Sequence, residues 1–398
     1  MRVLGGRSGD MESLRIGLFS WESLHSVRVG GIAPHVSELA ESLAARGHEV
    51  HVFTRIGDLS EYSEINGVHY QRCLHDQSGT VVAQMDRMCA AMVSRFETVQ
   101  QLFGRFDVVH GHDWHPVLAL NELKWKHGVP YVLTFHSTEW GRNGNAFGGW
   151  WEFREISHRE WLGGYESAAV VVTSPNLKNE IQSLYQIPDY KISLIPNGIR
   201  AGKIRRALDP GAIKQQYGIH PLAPVVLFIG RMSHQKGPDL LVEAIPGVLA
   251  TRWDVKFVFI GEGELRRPCE QRAAQLGVSA ACRFLGYAPD EVATAWLNAC
   301  DIVCVPSRNE PFCIVILEAW DAAKPIVGTE AVHLIANYET GIKAYRSPES
   351  IAWCIKYIFA NPGEAKRMAE AGSRLVAKMY DWDRIADRTV SVYKNVQV

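Results

Sequence analysis

The side chains best placed for chemistry lie in one stretch, Pro306-Ser307-Arg308-Asn309-Glu310-Pro311-Phe312-Cys313-Ile314-Val315-Ile316-Leu317-Glu318-Ala319. Pro311 suits the first turn of a helix, which puts Glu310 at or before the helix start and Glu318 two turns inside. Eight residues at 3.6 per turn come to roughly 800°, so the two carboxylates would stand about 80° apart if both were helical. Glu318 is flanked by apolar residues, where a carboxylate is costly unless paired or bound by hydroxyls. A ribose would supply two hydroxyls.

A second constellation is Gly230-Arg231-Met232-Ser233-His234-Gln235-Lys236-Gly237, which leaves the apolar run Val225 to Ile229 and precedes a helical pattern beginning near Pro238. Arg231 and Lys236, on a loop at a strand's carboxyl end, can straddle a diphosphate and stabilise charge on a leaving nucleotide. Two merely exposed charges would have no reason to occupy a strand–loop–helix context. Arg28-Val29-Gly30-Gly31 opens another helix, where backbone N–H groups and the helix N-terminus favour an anion. The bland alternative is a strand-to-helix turn with a solvated arginine. It is not the Gly-x-Gly-x-x-Gly dinucleotide fingerprint.

Three histidines and an aspartate crowd Asp107-Val108-Val109-His110-Gly111-His112-Asp113-Trp114-His115. Alternation at a strand end should point His110, His112 and Asp113 apart, so structural or sugar-contacting roles are read in preference to a metal. Asp381-Trp382-Asp383 reads as a helix cap rather than a metal motif. Cys300 and Cys304 have no second pair with zinc spacing. Trp150, Trp151 and Trp161, with glycines at 141, 144, 148 and 149, offer aromatic faces and a loop that could close over an acceptor, although aromatic residues are more often core.

These residues need positioning, and 398 residues are enough for two domains. Short β-rich runs alternate with helical patterns, which predicts parallel strands with crossover helices. The first series runs over Leu14–Ser20, 49–54, 68–72, 107–110, 131–135 and 169–173. The second runs over 225–230, 256–261, 282–285, 302–306 and 325–328. Two doubly wound sheets follow, with functional loops at their strands' carboxyl ends and a ligand cleft between the domains. The boundaries expected are 12–200 for the first domain and 201–381 for the second, and a terminal helix over 382–398 could pack on either.

The totals exclude several classes. Forty-two Lys plus Arg against 43 Asp plus Glu give a net charge of −1, which supplies no whole-protein field for nucleic acid or an anionic membrane. The eight cysteines sit in apolar runs, as buried thiols do, rather than in a disulfide framework. No window approaches the roughly 20 apolar residues of a membrane span, and the mixed, glycine-rich opening ten residues do not resemble a signal peptide. They read as a disordered extension or an upstream start before Met11, and the protein as cytoplasmic.

In their order along the chain, Arg28-Val29-Gly30-Gly31, Ile195-Pro196-Asn197-Gly198, the Arg231/Lys236 loop and the Glu310/Glu318 pair resemble the retaining glycosyltransferases of the GT-B fold, family 4 type, from about Leu14 to Tyr393. That resemblance implies an α/β architecture of two Rossmann-like domains facing a central cleft, the first binding acceptor and the second a nucleotide sugar. It implies that Arg231 and Lys236 bind the donor diphosphate, Glu318 the ribose, and Glu310 the sugar hydroxyls near the reacting carbon. Gly30, Gly31 and Arg28 would join the donor site, with Pro311, Phe312, Cys313 and Ile314 presenting backbone to it. The 107–115 segment and Thr134-Phe135-His136-Ser137-Thr138-Glu139-Trp140 are similar to glycogen and starch synthases, which implies Asp113 and His136 at the acceptor and transferred sugar. The implied catalytic set is Glu310, His136, Arg231 and Lys236, without a metal or other cofactor.

The chain departs from the pattern at Cys313, where the family usually has Gly, and after Gly328, where its Gly-Gly loop is replaced and shortened. The expected activity is hexosyl transfer, with glucose from a UDP- or ADP-sugar passing to a sugar or α-glucan. A lipid or small-sugar transferase of the same fold is one alternative. A catalytically silent protein that binds sugar nucleotide or glucan is the other.

Overall fold

The computed structural model describes residues 13–397, so the reading of the opening ten residues lies outside it. Eight strands build the first sheet: β1 (Arg15–Phe19), β2 (Glu49–Arg55), β3 (Tyr62–Ile65), β4 (Val68–Cys73), β5 (Val108–His112), β6 (Tyr131–Phe135), β7 (Ala169–Val172) and β8 (Ile192–Leu194). Their order is β3-β4-β2-β1-β5-β6-β7-β8, parallel except for the β3/β4 pair. Six parallel strands build the second: β9 (Val225–Ile229), β10 (Lys256–Ile260), β11 (Cys282–Gly286), β12 (Ile302–Val305), β13 (Ile326–Thr329) and β14 (Ile342–Ala344), in the order β11-β10-β9-β12-β13-β14. Counted within its own domain this is 3-2-1-4-5-6, the doubly wound order of nucleotide-binding folds.

The inner strands are buried on both faces, as parallel sheets covered by helices must be, and so read as continuous apolar runs. Each sheet reverses its winding once, between β1 and β5 and between β9 and β12. Ligands of such sheets bind at the carboxyl ends of the strands flanking that reversal. The segments after β1, β5, β9 and β12 are the ones that carry the chemically notable residues.

The chain crosses between domains twice, and the crossings touch. Ile199 pairs with Asp381 in an isolated parallel bridge, and the Ile199 N–H donates to the Tyr380 carbonyl at 2.7 Å. The last helix, Trp382–Val396, packs on the first domain, against the helix Ile32–Ala44. Tyr393 Oη meets His110 Nδ1 at 2.7 Å beneath the first sheet, and the Trp382 indole N–H donates to Glu38. Asp381 caps that helix by accepting the Asp383 N–H at 2.9 Å, as its sequence suggested. All eight cysteines are buried and free. No helix among the described residues is long and apolar enough to cross a membrane.

Candidate active site

The loop after β9 is shaped by a glycine that no other residue could replace without strain. Gly237 has φ of 65°, and a Cβ there would stand 2.2 Å from the Pro306 carbonyl oxygen at the end of β12. This close approach brings Lys236 to Glu310. Lys236 Nζ donates to both carboxylate oxygens, at 2.9 and 2.8 Å, and Ser307 Oγ donates to Oε2 at 2.9 Å. The Glu310 side chain is only 1% exposed. Its charge is tolerable there because two donors satisfy it, one of them the Lys236 cation. The same pairing outweighs burial and holds the Lys236 ammonium above its ordinary range. Arg231 is exposed and touches only Gln235 Oε1, at 3.3 Å, so it has no ion-pair partner among the described residues.

The helix begins at Ile314, not at the expected Pro311, with Cys313 as its extended N-cap, and it ends at Asp321. Phe312 instead turns onto His333 and Tyr380, which draws the Pro311–Cys313 segment off the helical path. Glu318 is therefore the fifth helical residue, little more than one turn inside, and the angle estimated for two helical carboxylates does not apply. Cys313 has φ of −96°, a conformation open to any residue. Its buried thiol lies near Lys236, Glu310 and Glu318, and burial raises it above the ordinary thiol range.

Glu318 is half-buried, and no described residue donates a hydrogen bond to its carboxylate. Burial pushes it up to about 7, against the opposing pull of Lys203 and Arg28, while Asp290 and Glu38 raise it further. These neighbours come from both domains. Arg28 reaches across the cleft to Asp290 at 2.6 Å, and Lys203 pairs with Glu38. A Cβ at Gly31 would stand 3.3 Å from Ile314 Cδ1, so the glycine loop also faces the Glu318 helix.

The glycine loop differs from expectation in one respect. The N–H groups of Val29 and Gly30 are already held by Glu22 Oε2, at 2.5 and 2.7 Å, so they do not stand free for a phosphate. Burial raises the Glu22 carboxyl, and these two bonds oppose the shift.

Asp113, at φ of 57°, accepts the backbone N–H of His136 at 2.6 Å and faces Arg142 at 3.9 Å. It anchors the loop after β6, and burial lifts it to about 6. His112 Nδ1 and His136 Nε2 share a hydrogen bond at 3.1 Å. The expectation that alternation separates the β5 histidines is wrong: His110 and His112 are two residues apart, hence on one face, with ring centroids 4.5 Å apart. His35, His112 and His136 bring potential ligand atoms within 4.8 Å of one another. Burial holds all three rings below the ordinary histidine range, His136 at about 3, so they are neutral at pH 7.

Trp150 and Trp151 are exposed beside the glycine-rich loop, whereas Trp161 stacks on Tyr165 along an exposed helix face. The loop itself reaches the second domain, where Asn309 Nδ2 donates to Asn145 Oδ1 at 2.5 Å. Glu22, Lys203 and Asp290 were not singled out from sequence. Of these only Glu22 had a local signal, an acidic residue between the apolar end of β1 and the glycine pair.

Two nucleotide-binding-type domains facing one cleft, with a cationic loop and a carboxylate pair together on the second domain's wall, define the GT-B class of glycosyltransferase. Comparison with known proteins agrees. Residues 29–203 match the model for Glycosyltransferase Family 4, and residues 211–375 the model for Glycosyl transferases group 1. An uncharacterised glycosyltransferase of Methanocaldococcus jannaschii is 33% identical over 96% of this chain and 98% of its own. The glycogen synthase of Mycobacterium tuberculosis is 29% identical over 96% and 94%. Among solved structures, Anabaena HepE in complex with UDP and glucose superposes with a TM-score of 0.77 at 17% identity, covering 96% of this chain and all of that one. The chain belongs to glycosyltransferase family 4.

Proposed function

We propose that this enzyme transfers a hexose, with glucose the first candidate, from a UDP- or ADP-sugar to a sugar or glucan hydroxyl with retention of configuration. The observation that carries the reading is the single cleft wall on which the unpaired Arg231, the Lys236–Glu310 pair and the unbonded Glu318 line up. Arg231 and Lys236 bind the diphosphate, Glu318 receives the ribose hydroxyls, and Glu310 orients the donor sugar. Lys236 is then shared between the leaving phosphate and Glu310, which places positive charge where negative charge develops. HepE, seen with UDP and glucose, and a relative named for glycogen synthesis support this choice of donor and product.

The departing diphosphate takes the acceptor proton on the face it leaves, so catalysis rests on positioning and charge stabilisation. Asp113 fixes the loop that presents His136 to the sugar. Permanent cations supply the charge that a metal would otherwise bring, and activity should survive chelation with EDTA. The test is a screen of UDP-, ADP- and GDP-sugars with mono- and oligosaccharide acceptors, read by release of nucleoside diphosphate. Release that requires both donor and acceptor supports the reading; binding without release under every pairing refutes it.

A further inference from the structure

Beside Glu310 the cleft holds a pocket of roughly 220 Å³ lined from both domains. The first domain contributes Asn145 from the glycine-rich loop, and Asn176 and Glu180 from the helix Pro175–Tyr185. Asn176 and Glu180 are four residues apart, hence on one helix face. The second contributes Arg308, Asn309 and Arg346. Amide and carboxylate side chains at this density suit the paired donor and acceptor character of sugar hydroxyls. The volume admits about one sugar ring, with the rest of a longer chain left outside.

The charges decide what kind of acceptor fits. Asp239 holds the Arg308 guanidinium through two bonds, at 2.9 and 2.6 Å, and Arg308 also donates to the His234 carbonyl. Arg346 Nε is bound to Glu330 at 3.0 Å. Glu310 is matched by Lys236. Glu180 is hydrogen-bonded by uncharged groups, accepting from Thr138 Oγ1 at 2.5 Å and from Asn309, with the Arg142 guanidinium acting on it only as a neighbouring charge. Each guanidinium lining the pocket already pairs with a carboxylate, so a phosphate carrying about −1.5 to −2 would have to compete with Asp239 and Glu330 for them and would face the Glu180 carboxylate as well.

We propose that this pocket is the acceptor subsite and that it selects an uncharged polyhydroxylated acceptor over a phosphorylated one, with Asn176 and Glu180 as specificity-determining residues. The proposal rests on the donor-side reading of Glu310 given above.

The test uses the full chain with maltose and glucose as neutral probes and glucose 6-phosphate as the charged one. Ligand-observed NMR reports binding, and initial rates report transfer. Donor cleavage without acceptor is followed separately by nucleoside diphosphate release. The neutral sugars should bind, with glucose 6-phosphate at least about tenfold weaker. Asn176→Ala and Glu180→Gln should each raise the neutral acceptor's Kd or KM several-fold to about tenfold, the scale of one or two lost hydrogen bonds. Donor KM and acceptor-free cleavage should stay within about twofold. Asn176 is exposed, so its variant is expected to fold even if loss of the Glu180 carboxylate disturbs Thr138. Preference for glucose 6-phosphate, absence of neutral-sugar binding, or unchanged acceptor constants in both variants would overturn the proposal. Sugar binding without nucleoside diphosphate release when donor and acceptor are both present would instead sink the transferase reading and leave the pocket's preference for neutral sugars standing.

Discussion

Lys236 has two partners to serve, the Glu310 carboxylate it holds and the diphosphate it is proposed to bind, and its removal should show both. Lys236→Ala should lower transfer at least about 100-fold. It should also destabilise the fold by about 3–5 kcal/mol, because Glu310 is left buried and unpaired. Adding Glu310→Gln should recover much of the denaturant midpoint and none of the activity. Glu318 offers a second handle through pH. Its carboxyl is raised to about 7 by burial, and ribose hydroxyls donate only to the ionised form well. Affinity for an intact nucleotide sugar, whose diphosphate diester does not titrate there, should therefore rise from pH 5.5 to 7.5. The rise should vanish in Glu318→Gln. Calorimetric titration across that range checks it, and a flat wild-type profile would remove Glu318 from the ribose. These two residues were legible in the sequence because each belongs to a loop or helix contiguous with its strand. The Glu318 neighbours Lys203 and Asp290 were not, and although Arg28 was, its pairing with Asp290 spans 262 positions of chain.

At the scale of elements, the strands buried between helices announced themselves as apolar runs, and β3, β8 and β14 did not. All three are edge strands of three or four residues, exposed or half-exposed along much of their length in β3 and β8, so their identity comes from the neighbour they pair with. The start of the Glu318 helix was misplaced for a related reason: Pro311 satisfies helix-start chemistry locally, but tertiary contacts of Phe312 hold the segment extended. Two substitutions test the elements that hold the site. Gly237→Ala should cost about 1–3 kcal/mol in backbone strain alone, before its clash with Pro306. It should also weaken nucleotide binding by moving Lys236. Tyr393→Phe should cost about 1–3 kcal/mol by leaving His110 Nδ1 without its partner. It should leave the donor KM unchanged, because the last helix braces the first domain from behind. Urea unfolding paired with donor titration separates the two cases.

For the whole molecule, the two-domain plan was legible from the restart of the strand–helix alternation near residue 225, whereas the side on which the last helix packs was open in the sequence. The touching crossings at Ile199 and Tyr380–Asp381 form the covalent hinge. Across the cleft mouth the domains are joined by pairs such as Arg28–Asp290, whose side chains are 40% and 66% exposed. Exposed pairs of this kind contribute about 0–1 kcal/mol and weaken as salt rises. Small-angle scattering should therefore show a larger radius of gyration at high salt, and a nucleotide sugar bridging both walls should reverse it. The central claim, retaining transfer from a nucleotide sugar at this cleft, is tested most directly by NMR of the product formed from α-configured UDP- or ADP-glucose and a neutral sugar acceptor. The account predicts acceptor-dependent release of nucleoside diphosphate with an α-linkage in the earliest product, both lost in Lys236→Ala. A β-linked product, or transfer undiminished in Lys236→Ala, would contradict it.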